Sequence, residues 1–158
     1  MSLCRLIMLK SIKLVLKEGT TFDLYFLDGT VKRYDILSLA NKFPQLNALK
    51  DRSLFTKGKL LGWSGVYWNG DLDIECDTVY EEGIDVSKEY DDIDNVVLGY
   101  KIRELRRNAD LSQVELASKA GINQSDLSKI EKGLANPSIK QISKVLSALN
   151  QRLSVELK

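Results

Sequence analysis

The sequence predicts an α+β protein in which a small, mostly antiparallel sheet with short helices precedes an all-α bundle. In the first part of the chain, Phe22, Leu24 and Phe26 alternate along a strand, and Asp28-Gly29 follows as a hairpin turn. In the second part, residues 98–149, apolar side chains recur at helical spacing between start and stop signals. The composition, 44% hydrophobic over 158 residues, is sufficient for one domain or two small ones.

The first domain is predicted to span residues 1–80. Strands are expected at residues 11–16, 21–26, 31–34, 59–63, 66–68 and 72–74. Short helical pieces are expected at residues 36–42 and 77–80, the first of them ending before Pro44, and residues 45–51 are expected to be helical or irregular. Together these elements predict a small α+β domain built on one mostly antiparallel sheet.

Residues 81–94 are strongly acidic, with seven Asp or Glu residues and one lysine. Because the segment has no core-forming pattern, it is interpreted as a solvated linker between two domains. A sharper alternative is that it mimics DNA and shields a basic surface.

Helix signals recur through the second domain, predicted at residues 95–158. The pairs Ser112 with Glu115 and Ser138 with Gln141 are capping boxes, and each predicts the start of a helix. Gly121 is expected to end one helix in a sharp turn. The next helix is expected to start at a side-chain cap by Asn123 and to end at Gly133. The buried stripe of the last helix is expected to consist of Ile139, Ile142, Leu146 and Leu149.

Charge is distributed unevenly along the chain. Residues 1–94 carry a balance of −4 and residues 95–158 a balance of +5, which together give the net charge of +1. A basic second half suits a polyanionic partner, because each neutralised phosphate releases a counterion. Five net charges also fit an ordinary protein surface.

Several classes of function receive no support from the sequence. Histidine is absent, and Cys4 and Cys76 lie far apart, so they are interpreted as free thiols in a reducing cytoplasm. No cofactor is expected. No apolar run is long enough to span a membrane. The alternating carboxylates Asp71, Asp73, Glu75 and Asp77 suggest a Mg²⁺ site, although the polar face of a strand explains them more simply.

The pattern Ile102-Arg103-x-Leu105-Arg106, followed by Leu111-Ser112-Gln113-x-Glu115-Leu116-Ala117 and Ala120-Gly121-Ile122, resembles the Cro/C1 or Xre type of helix-turn-helix. The match continues through Leu127-Ser128-x-Ile130-Glu131-x-Gly133 and Asn136-Pro137-Ser138. It covers about a third of the chain. The resemblance implies a compact bundle of about five helices, and an ion pair between Arg106 and Glu131. It also implies that residues 124–132 form the helix that enters the major groove of DNA.

Seven residues are predicted to contact double-stranded DNA: Gln113, Asn123, Gln124, Ser125, Ser128, Lys129 and Lys132. Gln124 can present its amide to adenine, and Lys129 can donate to guanine or to a phosphate. Gln113 begins a helix and is expected to point at phosphate oxygens. For Asn123 a simple helix cap, and for Ser128 a solvent-facing hydroxyl, remain open. Ala117 and Gly121 are expected to be small because two helices cross closely there.

Residues 22–80 resemble a second family, a small bacterial domain of unknown function found near toxin–antitoxin-like gene pairs. The resemblance rests on Phe26-Leu27-Asp28-Gly29, Tyr34-Asp35, Phe55, Trp68-Asn69-Gly70-Asp71-Leu72-Asp73-Ile74 and Tyr80. It implies a fold and almost no chemistry. A partner protein or a small ligand is expected to bind there.

Residues 152–158 alternate between apolar and polar side chains and predict a terminal strand. Such a strand needs a partner for its edge, either the sheet of the same chain or its symmetry copy. Pairing with a symmetry copy is favoured because helix-turn-helix proteins generally bind DNA as two-fold dimers.

The leading hypothesis is therefore a non-enzymatic, homodimeric, sequence-specific transcriptional regulator. It would act as a repressor, with an antitoxin-like autoregulator as the finer version. The alternative is a protein-interaction module that keeps the helical motif only for dimerisation.

Overall fold

The computed structural model describes residues 9–154, and the chain divides into two units after Ile93. Among the described residues, the first unit contains two antiparallel sheets. One sheet has the order β1-β2-β3-β7 and comprises β1 (Ser11–Leu16), β2 (Thr21–Phe26), β3 (Val31–Asp35) and β7 (Ile84–Asp85). The other sheet comprises β4 (Lys59–Leu60), β5 (Gly65–Asn69) and β6 (Leu72–Glu75), in that order.

Short helices connect these strands. Two of them are α-helices, α1 (Arg52–Phe55) and α2 (Cys76–Glu82), and three are 3₁₀ helices at Ile36–Leu39, Pro44–Lys50 and Ser87–Glu89. The predicted strand at 59–63 is shorter than expected because Gly62 has a φ of +57° and the chain turns there. The predicted turn at Asp28-Gly29 is confirmed, with Gly29 at a φ of +88°.

The core of the first unit lies on one side of β2. Phe22, Leu24 and Phe26 are fully buried on this side and pack with apolar residues of both sheets. The indole Nε1 of Trp68 donates to the carbonyl oxygen of Phe55 at 2.8 Å, which satisfies the polar atom that this ring brings into the core. The alternation read from the sequence therefore identifies the core face of the sheet.

The opposite face of β2 is buried as well, although it carries Asp23 and Tyr25. The acidic segment covers it: β7 pairs with β3, and the Tyr90 ring lies 5.1 Å from the Tyr25 ring in an edge-on arrangement. Lys13 donates to Asp92 at 2.8 Å. The hypothesis of a solvated linker at 81–94 is therefore wrong for the central part of this segment, because carboxylates of the segment pair with lysine and arginine side chains that are distant in sequence.

Asp23 is the centre of a charged network on this covered face. Arg33 donates to both carboxylate oxygens at 2.8 Å, Lys17 lies 3.4 Å away, and the Tyr90 hydroxyl also donates to Asp23. Burial by itself raises the pKa of the Asp23 carboxyl. The hydrogen bonds from Arg33 and Tyr90 outweigh burial and lower the pKa below its ordinary value.

The second unit contains four helices among the described residues: α3 (Ile93–Asn108), α4 (Gln113–Ala120), α5 (Gln124–Glu131) and α6 (Ile139–Ala148). Both predicted capping boxes are confirmed, at Ser112 and at Ser138. Gly121 and Gly133 end α4 and α5 with φ of +65° and +69°. The resemblance implied about five helices, one more than the described residues contain.

The core of this unit differs in one position from the predicted stripe of α6. Ile142, Leu146 and Leu149 are buried as expected, but Ile139 is 73% exposed. Ile139 is the first residue of α6, and at that position its side chain lies outside the bundle. Val145, three residues after Ile142, is fully buried and completes the stripe.

The predicted terminal strand is not observed in residues 152–154, which have no regular secondary structure, and its remaining residues lie outside the described part. Among residues 9–154, no helix is long and apolar enough to cross a membrane.

The Asp23 network predicts an acid-sensitive first unit. Because the folded-state pKa of Asp23 is lowered, its stabilisation is present above the unfolded pKa of about 4 and is lost as pH falls through the folded value. Asp23→Asn should lower the free energy of unfolding at pH 7 by roughly 2–3 kcal/mol, less than for a fully buried pair because the Arg33 side chain is 31% exposed. Denaturant unfolding at several values between about pH 3 and pH 7, a range that includes the ordinary carboxylate pKa, measures the loss of stability at pH 7 and the pH dependence of stability.

The matched control is Asp91→Asn, which removes an exposed carboxylate of the acidic segment. It should leave both the stability and its pH dependence close to the parent. Equal acid sensitivity in the parent and in Asp23→Asn would contradict the network's role.

Candidate nucleic-acid interface

A nearly buried ion pair joins α3 to the end of α5. Arg106 Nε donates to Glu131 Oε1 at 2.6 Å and Arg106 Nη2 donates to Oε2 at 2.9 Å, with side-chain exposures of 12% and 2%. Arg106 Nη1 donates to the carbonyl oxygen of Leu111 at 2.8 Å. The hydrogen bond to Glu131 raises the pKa of Arg106 above its ordinary value. The ion pair that the resemblance implied is therefore present.

Glu131 also anchors two glutamines. Gln113 Nε2 donates to Glu131 Oε2 at 2.9 Å, and Gln124 Nε2 donates to Gln113 Oε1 at 2.8 Å. A carboxylate can only accept, so the Gln113 amide group must turn its nitrogen toward Glu131 and its oxygen toward Gln124. The chain of bonds therefore fixes the orientation of both amides, which side-chain shape alone does not decide.

The outer end of this chain is the exposed side chain of Gln124. One N–H of its amide is bonded to Gln113, which leaves its oxygen and its second N–H directed away from the bond. An acceptor beside a donor is the pattern that pairs with N6–H and N7 of adenine in the major groove. Gln113 thus has a positioning role that the sequence did not reveal.

The other predicted residues lie along the same helix or at its start. Asn123, Ser125, Lys129 and Lys132 are exposed, whereas Gln113 and Ser128 are partly buried. The expected side-chain cap by Asn123 is wrong: its amide donates to the Asp126 carboxylate at 3.3 Å, and its backbone carbonyl accepts from Asp126 and Leu127. Asn123 has the extended backbone of a cap residue, but its side chain bonds to the nearby Asp126 carboxylate instead of to a helix N–H.

A helix of this length leaves its first backbone N–H groups without an intrahelical acceptor. In α5 these groups belong to Gln124 and Ser125, and together with the helix dipole they favour an anion at this end. Asp126 in the same turn is the one acidic residue there, and its bond from Asn123 was not anticipated from the sequence.

Gly99, and not Gly121, explains how closely two helices approach. The expectation for Gly121 is wrong, since a Cβ there would meet nothing within 4 Å; the residue is needed for its left-handed turn. Gly99 is the residue at the close approach, because a Cβ on it would lie 2.1 Å from the carbonyl oxygen of Ile130. Its signal in the sequence is a glycine inside a helix, which normally costs about 1 kcal/mol relative to alanine.

The first unit gives no support to catalysis by a bound metal. Within residues 9–154, no three His, Cys, Asp or Glu side chains are grouped as ligands, so the Mg²⁺ alternative finds no site there. Cys76 is a buried free thiol whose pKa is raised to about 11 by burial and by its hydrogen bond to Asp77. A thiol with this pKa stays protonated at neutral pH and is a poor nucleophile.

Comparison with known proteins shows that the helical part is similar to helix-turn-helix proteins. Residues 102–155 match the model of a helix-turn-helix family. The immunity repressor protein of Bacillus phage phi105 is 36% identical over 59 residues, which is 37% of this chain and 41% of that protein. An HTH-type transcriptional regulator of Archaeoglobus fulgidus is 36% identical over 53 residues, which is 34% of this chain and 76% of that protein.

Among solved structures, the restriction-modification controller protein C.AhdI from Aeromonas hydrophila is 37% identical. The alignment covers 37% of this chain and 89% of C.AhdI, with a TM-score of 0.37. The chain spans half the length or less of the first curated relatives it matches. The family model falls in the helical unit. The similarities to the relatives and to C.AhdI each cover about a third of the chain.

The ion pair predicts a large loss of stability on removal of one partner. Arg106→Ala leaves the Glu131 carboxylate buried without its charge partner, so the free energy of unfolding of the second unit should fall by about 3–5 kcal/mol. Arg107→Ala is the matched control, because that side chain is 62% exposed and should change stability by no more than roughly 0.5 kcal/mol. Thermal and denaturant unfolding followed by circular dichroism compare the two. Equal losses would show that the pair does not hold the helices together.

Proposed function

This chain belongs to the helix-turn-helix family through residues 102–155, and on that premise we propose that it is a sequence-specific regulator of transcription that binds double-stranded DNA. It acts as a homodimeric repressor without catalytic activity. The observation that carries the proposal is the hydrogen-bonded chain from Arg106 through Glu131 and Gln113 to the exposed amide of Gln124. An exposed polar group held in one orientation by buried partners is suited to reading a base edge.

Base contacts are proposed for the first turns of α5. Gln124 presents its oxygen and its free N–H to adenine, and Ser125 is short enough to reach a base or a phosphate. Lys129 lies one turn further along the helix and is exposed, in reach of guanine O6 and N7.

Backbone contacts are proposed for the remaining residues. Gln113 is the first residue of α4, so its backbone N–H can donate to a phosphate while its side chain holds Gln124. Asn123, Ser128 and Lys132 complete the set of phosphate contacts. The balance of +5 in residues 95–158 supports a sequence-independent part of the affinity.

Dimerisation is proposed because helix-turn-helix proteins generally bind DNA as two-fold dimers. A two-fold dimer reads two half-sites about 34 Å apart, one helical turn of the duplex. One of the relatives is named an immunity repressor, which supports repression here. The antitoxin-like version, and a partner protein or small ligand bound by the first unit, rest on the resemblance of residues 22–80.

The competing function is a dimerisation module that does not bind DNA. It requires no ordered polar group at the exposed end of α5, and it does not explain why a buried carboxylate orients two glutamines toward that end. The salt dependence of binding distinguishes the two functions.

A duplex of random sequence is the first probe. The protein should bind it at 50 mM salt and lose most of its affinity by 200 mM, because phosphate contacts release counterions; six such contacts would cost about 10³-fold. Fluorescence anisotropy of a labelled duplex measures this. Absence of binding at low salt would favour the dimerisation module.

Lys129→Ala tests base reading. Selection from a random duplex library should give the parent a defined site, and the variant should lose the preference at one base pair, worth roughly 1–3 kcal/mol. Lys57→Ala removes an exposed lysine from the first unit and should leave the selected site unchanged. An equal loss of affinity for all sequences would assign Lys129 to a phosphate and contradict its reading of guanine.

A further inference from the structure

A groove runs along the outer edge of β6 in the first unit. It has a volume of about 360 Å³ and lies between β6 and the chain around the 3₁₀ helix Pro44–Lys50. Its apolar wall consists of Leu39, Phe43, Leu46 and Ile74. Phe43 is 39% exposed although it is aromatic, so part of this wall is open to a partner.

Among the described residues, the edge of β6 that faces away from β5 has no partner strand. Within residues 9–154, β6 pairs with β5 on one side and with no strand on the other. In an antiparallel pair only alternate residues bond to the neighbouring strand, so the others direct their N–H and C=O groups outward. An open edge of this kind accepts an added strand, and its four residues extend about 13 Å at roughly 3.3 Å per residue.

The two faces of β6 differ in chemistry. Ile74 is buried on the core side, while Asp73 and Glu75, its neighbours in the strand, are exposed on the other side. An added strand places its side chains alternately beside these two faces. It would therefore pack apolar side chains on the side of Ile74 and place its intervening side chains beside the two carboxylates.

The charge around the groove is negative. Asp71, Asp73 and Glu75 line it, are exposed, and have no hydrogen-bond or ion-pair partner among residues 9–154. Glu82 lines it too and accepts a hydrogen bond from the Tyr34 hydroxyl at 2.7 Å. Lys42 is the basic residue of the lining. Charge complementarity thus favours a cationic partner.

We propose that this groove binds an extended segment of a partner protein in which arginine or lysine alternates with apolar residues, and that the segment adds as a strand to β6. Its basic side chains pair with Asp73 and Glu75, and its apolar side chains contact Phe43 and Leu39 in the groove lining. The inference deepens the partner-binding role proposed above for the first unit. Peptide binding by the groove does not depend on DNA binding; only an effect of the bound partner on transcription rests on the proposed function.

The test uses the full chain and a synthetic peptide of three arginine–valine repeats, with blocked ends, in a calorimetric titration at low salt. The parent should bind this peptide and should not bind its glutamate–valine counterpart. Asp73→Asn combined with Glu75→Gln should weaken the peptide about tenfold, the effect of losing two exposed ion pairs. Glu18→Gln combined with Asp91→Asn removes the same charge at exposed positions outside the groove lining and should change the affinity little.

Backbone pairing is tested separately. Two further peptides carry N-methyl groups on alternate residues, one on every arginine and the other on every valine. Only one of the two sets of N–H groups faces β6, so one methylated peptide should lose binding and the other should retain it. Equal binding of both methylated peptides would overturn strand addition.

Other outcomes also overturn the inference. Equal weakening by the two double variants would mean that only overall charge matters, and spermine binding as tightly as the peptide would make the groove a site for small cations. Duplex binding measured on the same preparations separates this inference from the proposed function. The Asp73→Asn/Glu75→Gln variant should bind DNA as the parent does, so a failure with peptide alone leaves the DNA-binding proposal standing.

Discussion

The Glu131 carboxylate is the constraint on which the second unit depends. The Glu131 side chain is 2% exposed, and it accepts hydrogen bonds from Arg106 on α3 and from Gln113 on α4. A buried charge of this kind destabilises a fold unless its partners are in place, so the position of α5 is tied to the positions of α3 and α4. Because Gln113 also holds Gln124, the same carboxylate orients the amide proposed to read DNA. Stability and recognition therefore share one set of hydrogen bonds.

The first unit uses a buried carboxylate in a similar way. Asp23 lies in the middle of β2 on the face opposite the core, and Arg33 and Tyr90 donate to it. Tyr90 belongs to the acidic segment, so the Asp23 network holds that segment on the sheet. Within residues 9–154, each unit thus combines an apolar core with one buried carboxylate that links elements distant in sequence. In the described part of the chain, by contrast, the outer edge of β6 has no partner strand and its carboxylates Asp73 and Glu75 have no bonded partner, which is why a partner is inferred there and not at Asp23.

Local signals in the sequence predicted most of the secondary structure. The capping boxes at Ser112 and Ser138 and the turn at Gly121 depend on neighbouring residues, and all three are present. Contacts over long separations were missed. The linker interpretation of the acidic segment is wrong because Glu89 pairs with Arg33, 56 residues away in sequence. The role of Gly99 depends on Ile130 of another helix, which no local pattern indicates. For the site, residue types pointed to α5, but the role of Gln113 follows only from the hydrogen bonds.

We propose that the start of α5 contacts DNA while Glu131 holds this segment in place. The most direct measurement is a titration of the isotope-labelled protein with its selected duplex, followed through backbone and side-chain amide resonances. The largest shifts should occur at the Gln124 and Gln113 side-chain amides and at the backbone of residues 123–132. Shifts confined to other surfaces, with the Gln124 amide unchanged at saturation, would contradict it.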